Sequence, residues 1–169
     1  MSSKVNIKRL QQTNDSARAY KWDVEIQFGS LESEQINLRA TTIGVPNPTH
    51  TPIDVGVRGF TKKETGAVEW NPITITVIET QDYARLLNLY NLAMTQFDYE
   101  TGVQANKNDY SPNDTGILIL MQELGDAVSK TWHLYGCILE TYSQPDFSAE
   151  KGGIIEIPFT VHYDYALLK

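Results

Sequence analysis

The side chains of this 169-residue chain that could carry chemistry are few: His50, His133 and His162, the lone Cys137, and the acid pair Glu156 and Asp164. A metal centre needs ligands at short, regular spacing, yet His50 falls in a Pro- and Gly-rich stretch and His133 and His162 fall in separate strand patterns. Glu156 and Asp164 alternate onto the polar side of the final strand pattern, which reads as solvated carboxylates rather than a general acid and base. Cys137 has no neighbour that would depress its pKa and reads as a small buried hydrophobe. There is no Gly-rich phosphate loop after a strand and no Gly-x-Ser-x-Gly elbow. No catalytic, cofactor or metal site is expected, and the chain is not expected to be an enzyme.

Length and composition bound the remaining choices. One domain over residues 1–169 is expected, and 41% hydrophobic content is enough for a real core and too much for a disordered chain. A formal charge of -7 and a pI near 4.9 argue against gripping nucleic acid, because affinity for phosphate backbones needs clustered Lys and Arg. No apolar run is long enough for a membrane helix, and MSSKVNIKRLQQTND lacks the apolar core of a signal peptide. The expectation is a protein made and kept in the cytoplasm, and a cysteine with no internal disulfide partner fits a reducing compartment.

The stretch from Asn71 to Asp98 changes hydrophobic period partway. Ile73, Ile75 and Val77 alternate with Thr74 and Thr76, as in a strand; then Tyr83, Leu86, Leu87, Tyr90, Ala93, Met94 and Phe97 recur at steps of three and four. This predicts a helix over 81–97, N-capped by Thr80, with Asp82 in its first turn and Tyr83, Leu86, Leu87, Tyr90 and Met94 as its core face. Leu89 lies off that stripe. One amphipathic helix among many strands must cover a sheet, so the fold class is mainly β.

The other elements follow in order. Residues 1–19 are polar and unpatterned, and read as an arm ordered by a neighbour. Trp22, Val24, Ile26 and Phe28 alternate with Asp23, Glu25 and Gln27, and Ile36, Leu38 and Ala40 return as a second strand, predicting a hairpin. Residues 44–66 are rich in Pro and Gly and end in the turn signal Lys-Lys-Glu-Thr-Gly; this predicts a long irregular excursion into an edge hairpin. Its apolar Ile53, Val55, Val57 and Phe60 call for cover by another chain. GILILMQEL and SKTWHLYGCILETYS look covered on both faces, and the alternation from Ile155 to Tyr165 predicts one unusually long last strand.

Three stretches, EWNPITITVIETQDYARLLNLYNLAM, TWHLYGCILETYSQPDF and IEIPFTVHYDYALLK, together resemble the tail tube proteins of contractile-tailed bacteriophages, and RATTIGVPNPTHTPIDVGVRGFTKKETG is similar to that family's second strand and inter-ring hairpin. The proline that many relatives carry just after the Gly of the aromatic strand is missing near Gly136.

The resemblance implies two packed antiparallel sheets, a β-sandwich or half-barrel with one flanking helix and a long protruding hairpin. It implies homohexameric rings stacked into a tube inside a sheath, with baseplate and tail terminator proteins at the ends. A tape measure protein and then DNA would occupy the lumen without specific binding, and the place of the protein would be the virion tail. The tube of a type VI secretion or other contractile injection system is the second expectation, and a monomeric β-sandwich binding module the third. The expected inter-ring contacts are Pro46, Pro48, Pro52, Ile53, Val55, Val57, Phe60, Lys62 and Lys63. A lumen that conducts DNA should repel it, so Asp23, Glu25 and Gln27 of the first strand and Glu156, Thr160, His162 and Asp164 of the last are the expected wall.

Overall fold

The computed structural model describes residues 22–27, 40–111, 115–122, 127–143 and 153–169. The expected arm over 1–19, the strand positions Phe28, Ile36 and Leu38, and the loop 144–152 lie outside the described residues. In chain order the elements are β1 (Trp22–Ile26), β2 (Ala40–Ile43), β3 (Pro48–Val57), β4 (Phe60–Trp70), β5 (Ile73–Ile78), α1 (Ala84–Gln96), α2 (Lys107–Tyr110), β6 (Thr115–Gln122), β7 (Val128–Tyr135), β8 (Ile138–Tyr142), β9 (Glu156–His162) and β10 (Tyr165–Leu168). A first antiparallel sheet has the order β1-β6-β7-β10, a second β2-β5-β9-β8, and β3-β4 form a separate ribbon.

Period-two alternation puts one parity of each sheet inward. Val24, Ile26, Ile117, Ile119, Leu134 and Ala166 from the first sheet meet Ile73, Ile75, Val77, Leu139, Ile157, Phe159 and Val161 from the second in a single buried cluster. Each fully buried aliphatic of this kind contributes about 1.5 to 3 kcal/mol of transfer free energy. The fold is therefore mainly β, a sandwich of two antiparallel sheets.

Three strand expectations are corrected. β1 and β2 are not a hairpin: β1 pairs with β6 and β2 with β5, in different sheets. The run 129–143 is two strands, β7 in the first sheet and β8 in the second, separated at Gly136 with φ 65. The expected long last strand likewise divides at Tyr163 and Asp164 into β9 and β10. Both chain segments change sheet at one corner, where Tyr135 faces Tyr165 and Ile138 faces His162.

The helix follows β5 as expected, with a different cap and a different phase. Thr80 is not the cap: the chain enters α1 through Tyr83 in the left-handed region, φ 55, with no capping side chain there. Glu79, from the end of β5, does the work instead. Its carboxylate accepts the backbone N–H groups of Thr80 (2.7 Å), Arg85 (3.3 Å) and Leu86 (2.8 Å), satisfying donors that a helix N-terminus leaves open. Arg85, itself buried, donates to Thr80 Oγ1 at 2.7 Å and stands 3.9 Å from Glu79.

The buried face of α1 is Arg85, Leu89, Leu92 and Ala93, with Leu86 and Met94 half-buried. Tyr83, Leu87 and Tyr90, expected as core, are exposed, Leu87 by 57%. The sequence carries two apolar stripes, and periodicity alone ranks the aromatic one higher. The carboxylate of Glu79 clamps the first turn and turns the stripe containing Leu89 inward, Arg85 included. At the other end, the Gln96 amide meets the outer edge of β8: in the orientation that pairs donor with acceptor, it donates to Leu139 O and accepts from Leu139 N, both at 2.9 Å. A register shift between Leu139 and Thr141 interrupts the same strand.

Candidate functional site: assembly surfaces

The excursion over 44–66 is more regular than its composition suggests. β3 and β4 pair from Pro48 opposite Trp70 to Val57 opposite Phe60, a ribbon about 33 Å long at strand rise. The turn is Arg58–Gly59, both with positive φ (47 and 83), the two-residue geometry that matches strand twist. Lys-Lys-Glu-Thr-Gly is thus strand rather than turn. Pro48 starts β3 and Pro52 follows a register shift, the two places a strand tolerates a missing N–H. Gly66 lies across from that shift, where a Cβ would overlap the Thr51 carbonyl oxygen.

Most of the expected contact residues are on this ribbon and open to solvent. Ile53, Val57 and Phe60 are exposed, Phe60 by 80%, while Val55 is half-buried. Lys62 and Lys63 are exposed and paired with Glu64 and Asp54, each at 2.8 Å. Pro46 is the exception: it is buried at the root of the ribbon. Val68 is a further exposed apolar residue of the ribbon, on β4.

The expected wall residues do not share a surface. Asp23 and Glu25 alternate with buried Val24 and Ile26 and so lie on the outer face of the first sheet. Glu156, Thr160 and His162 alternate with buried Ile157, Phe159 and Val161 and lie on the outer face of the second sheet, across the core. Asp164 joins neither face. It sits at the sheet corner, its N–H bonded to Tyr135 O at 2.9 Å and its carboxylate gripped by Lys107 of α2 at 2.6 Å. The chain turns at Tyr163 and Asp164, between β9 and β10, and the alternation through Ile157, Phe159, Val161 and Tyr163 gives way to a three-residue step to buried Ala166, which takes Asp164 off the face of Glu156.

The two outer faces differ in chemistry. That of the second sheet is lined with threonine: Thr74 and Thr160 hydrogen-bond at 3.2 Å, Thr41 donates to Thr76 O at 3.4 Å, and Glu140 meets His162 at 3.0 Å. The strands β2, β5, β8 and β9 hold two glutamates, Glu140 and Glu156, and no Lys or Arg. The face of the first sheet is partly apolar and aromatic, with Leu118 and Leu120 half-buried, Leu167 exposed, and Tyr135 stacked on Tyr165 at 4.7 Å. His133 lies there, His162 on the opposite face and His50 on the ribbon. Among the described residues no group of three His, Cys, Asp or Glu could hold a metal.

A third surface, missed by sequence reasoning, follows α1. The Tyr99 ring lies 6.3 Å from that of Tyr90 and 6.0 Å from that of Phe97, centroid to centroid, and all three are exposed. The turn after the helix is built around Asp98, whose carboxylate accepts from Glu100 N (2.9 Å), Thr101 N (3.2 Å) and Thr101 Oγ1 (2.7 Å). The Thr101 hydroxyl, then these backbone donors, hold the Asp98 carboxyl below its usual range. Between this turn and β8 is a groove of about 310 Å³, lined by Gln96, Phe97, Tyr99, Leu139, Glu140 and Tyr142 among others.

No protein-family model and no curated protein sequence matches the chain. Solved structures do. The anti-feeding prophage cap, a tube-terminating cap, superposes with a TM-score of 0.67 over 93% of both chains at 13% identity. A chain of the sheath/tube terminator of the extracellular contractile injection system PVC gives 0.67 at 14% identity, over 92% of this chain and 98% of that one. A chain of the PVC sheath-tube complex gives 0.65 at 15% identity, over 98% of this chain and 99% of that one.

The fold is that of contractile-injection tube and tube-terminator proteins. The likeness is carried by architecture, at identities of 13 to 15%. In the PVC sheath-tube comparison this tube-protein fold extends over nearly the whole of both chains.

Proposed function

We propose that this chain is the subunit of the inner tube of a contractile phage tail. Homohexameric rings stack into a hollow tube inside a sheath, capped by baseplate and terminator proteins. The lumen holds a tape measure protein and then conducts DNA into the host. The observation that carries the reading is the ribbon β3-β4, which leaves a sandwich of tube-protein fold and displays Ile53, Val57, Phe60 and Val68 to solvent. Exposed apolar surface on so long a projection calls for another chain to cover it.

The second sheet supplies the lumen wall. Its two glutamates, its threonines and its lack of Lys and Arg suit a surface that must pass a polyanion without adhesion. Carboxylates there repel phosphates within about 8 Å in physiological salt. Asp23 and Glu25 then look away from the channel. The apolar face of the first sheet is suited to neighbouring subunits and sheath.

A second reading keeps the assembly and changes the cargo: the PVC structures are described as an extracellular contractile injection system, so the same tube would serve a particle without a genome. Negative-stain microscopy of the purified protein tests the assembly, with rings or tubes expected and a dispersed monomer defeating both readings. Within an assembled particle, Glu140→Lys with Glu156→Lys should leave tube length unchanged and slow DNA delivery, the defect easing as salt rises. An assembled particle that delivers no DNA with or without the substitutions favours the second reading.

A further inference from the structure

The tip of the ribbon and the surface beside β8 complement each other. Residues 57–63, Val-Arg-Gly-Phe-Thr-Lys-Lys, hold three cations and no acid in a chain of formal charge -7. Residues 97–104, Phe-Asp-Tyr-Glu-Thr-Gly-Val-Gln, hold two acids and no cation. Phe60 at the tip is 80% exposed, and the receiving surface offers Tyr90, Phe97 and Tyr99 held by a hydrogen-bonded turn, with the groove toward β8 alongside.

Position matters as much as composition. The ribbon links β2, one edge strand of the second sheet, to β5, whereas the aromatic surface flanks β8, the other edge strand. Matching features at opposite edges associate head to tail, the heterologous mode that closes rings or extends filaments. We infer that the ribbon tip of one copy docks on the Tyr90, Phe97 and Tyr99 surface of a neighbouring copy. Phe60 would lie against the aromatic rings, with Arg58, Lys62 and Lys63 facing Asp98 and Glu100. Rigid aromatics ringed by opposite charge are typical anchors of protein interfaces, and Arg over tyrosine adds a cation–π attraction. The inference rests on the tube reading and names the receptor that the reading leaves open.

The test uses the full chain. Tyr99→Ala should raise the concentration needed for assembly about tenfold or more, and Glu100→Lys should raise it in a way that Lys62→Glu partly reverses. In a Phe60→Cys, Tyr99→Cys double variant, mild oxidation should give a covalent ladder; neither single variant should. Wild-type Cys137 is buried, with its thiol pushed up to about 12, so it adds no background. Thermal melting of each variant before assembly shows that the fold is kept. If deleting 57–63 blocks assembly while Tyr99→Ala and Glu100→Lys assemble as wild type without a ladder, this docking is wrong and the tube reading stands. A wild-type chain that never self-associates removes both.

Discussion

Gly136 and Asp164 interlock at the corner where the chain twice changes sheet: the Asp164 side chain fills the space in which a Cβ on Gly136 would sit. Gly136 also has φ 65, a conformation that costs an L side chain about 1 to 2 kcal/mol. Gly136→Ala should therefore destabilise the isolated protein by roughly 2 to 4 kcal/mol, read by denaturant unfolding. Asp164→Ala alone loses an exposed pair with Lys107, worth about 0 to 1 kcal/mol. Combined with Gly136→Ala it should recover part of the loss, and strict additivity would show that the two residues do not compete for space.

The phase of α1 is equally accessible to measurement. Leu89 is 1% exposed and Leu87 57%, so Leu89→Ala should cost about 2 to 5 kcal/mol and Leu87→Ala little in an assembly-deficient background. Equal losses would restore the aromatic stripe as the core face.

Glu79 is a buried carboxylate on which the first turn of α1 depends. Glu79→Ala leaves Arg85 buried beside an empty site and opens three backbone donors, those of Thr80, Arg85 and Leu86, a change expected to cost about 3 to 5 kcal/mol. Glu79→Gln keeps one acceptor and should cost less. Circular dichroism should record a loss of helix with the alanine variant.

Cys137 reports on opening of the core. Burial first, then the charge of Asp164, pushes its thiol up to about 12, so at pH 8 the folded thiolate fraction is about one in ten thousand. Iodoacetamide at pH 8 should leave the native protein unlabelled and modify it fully in denaturant. Rapid native labelling would mean that the corner at Gly136 opens readily.

How much of this was legible depends on the kind of signal. The passage from β5 to α1 could be read because the apolar period changes there, at Ile78. The sandwich could be read because alternation identifies half-buried strands. Alternation does not say which sheet a strand joins, so the crossings at Gly136 and Asp164 read as continuous strands. A finer reading had a clue: the buried positions Leu134 and Cys137, and again Tyr163 and Ala166, are three apart instead of two. The helix phase was hidden for a different reason. Two stripes were apolar, and the choice between them lies with Glu79, a residue outside the helix. The ribbon turn was misplaced because Lys-Lys-Glu-Thr-Gly has turn composition, while Arg58–Gly59 carries the backbone geometry.

Gln96 bears on the time before assembly. A strand edge with free N–H and C=O groups is a template for any other extended chain, and the proposed tube subunit would have to accumulate without fusing at random. By occupying both backbone groups of Leu139, the Gln96 amide behaves as a one-residue mock strand, and the irregular pairing beyond it spoils the register for an incoming one. Uncontrolled zippering along β8 is thereby discouraged, and in the proposed tube growth would be left to side-chain recognition.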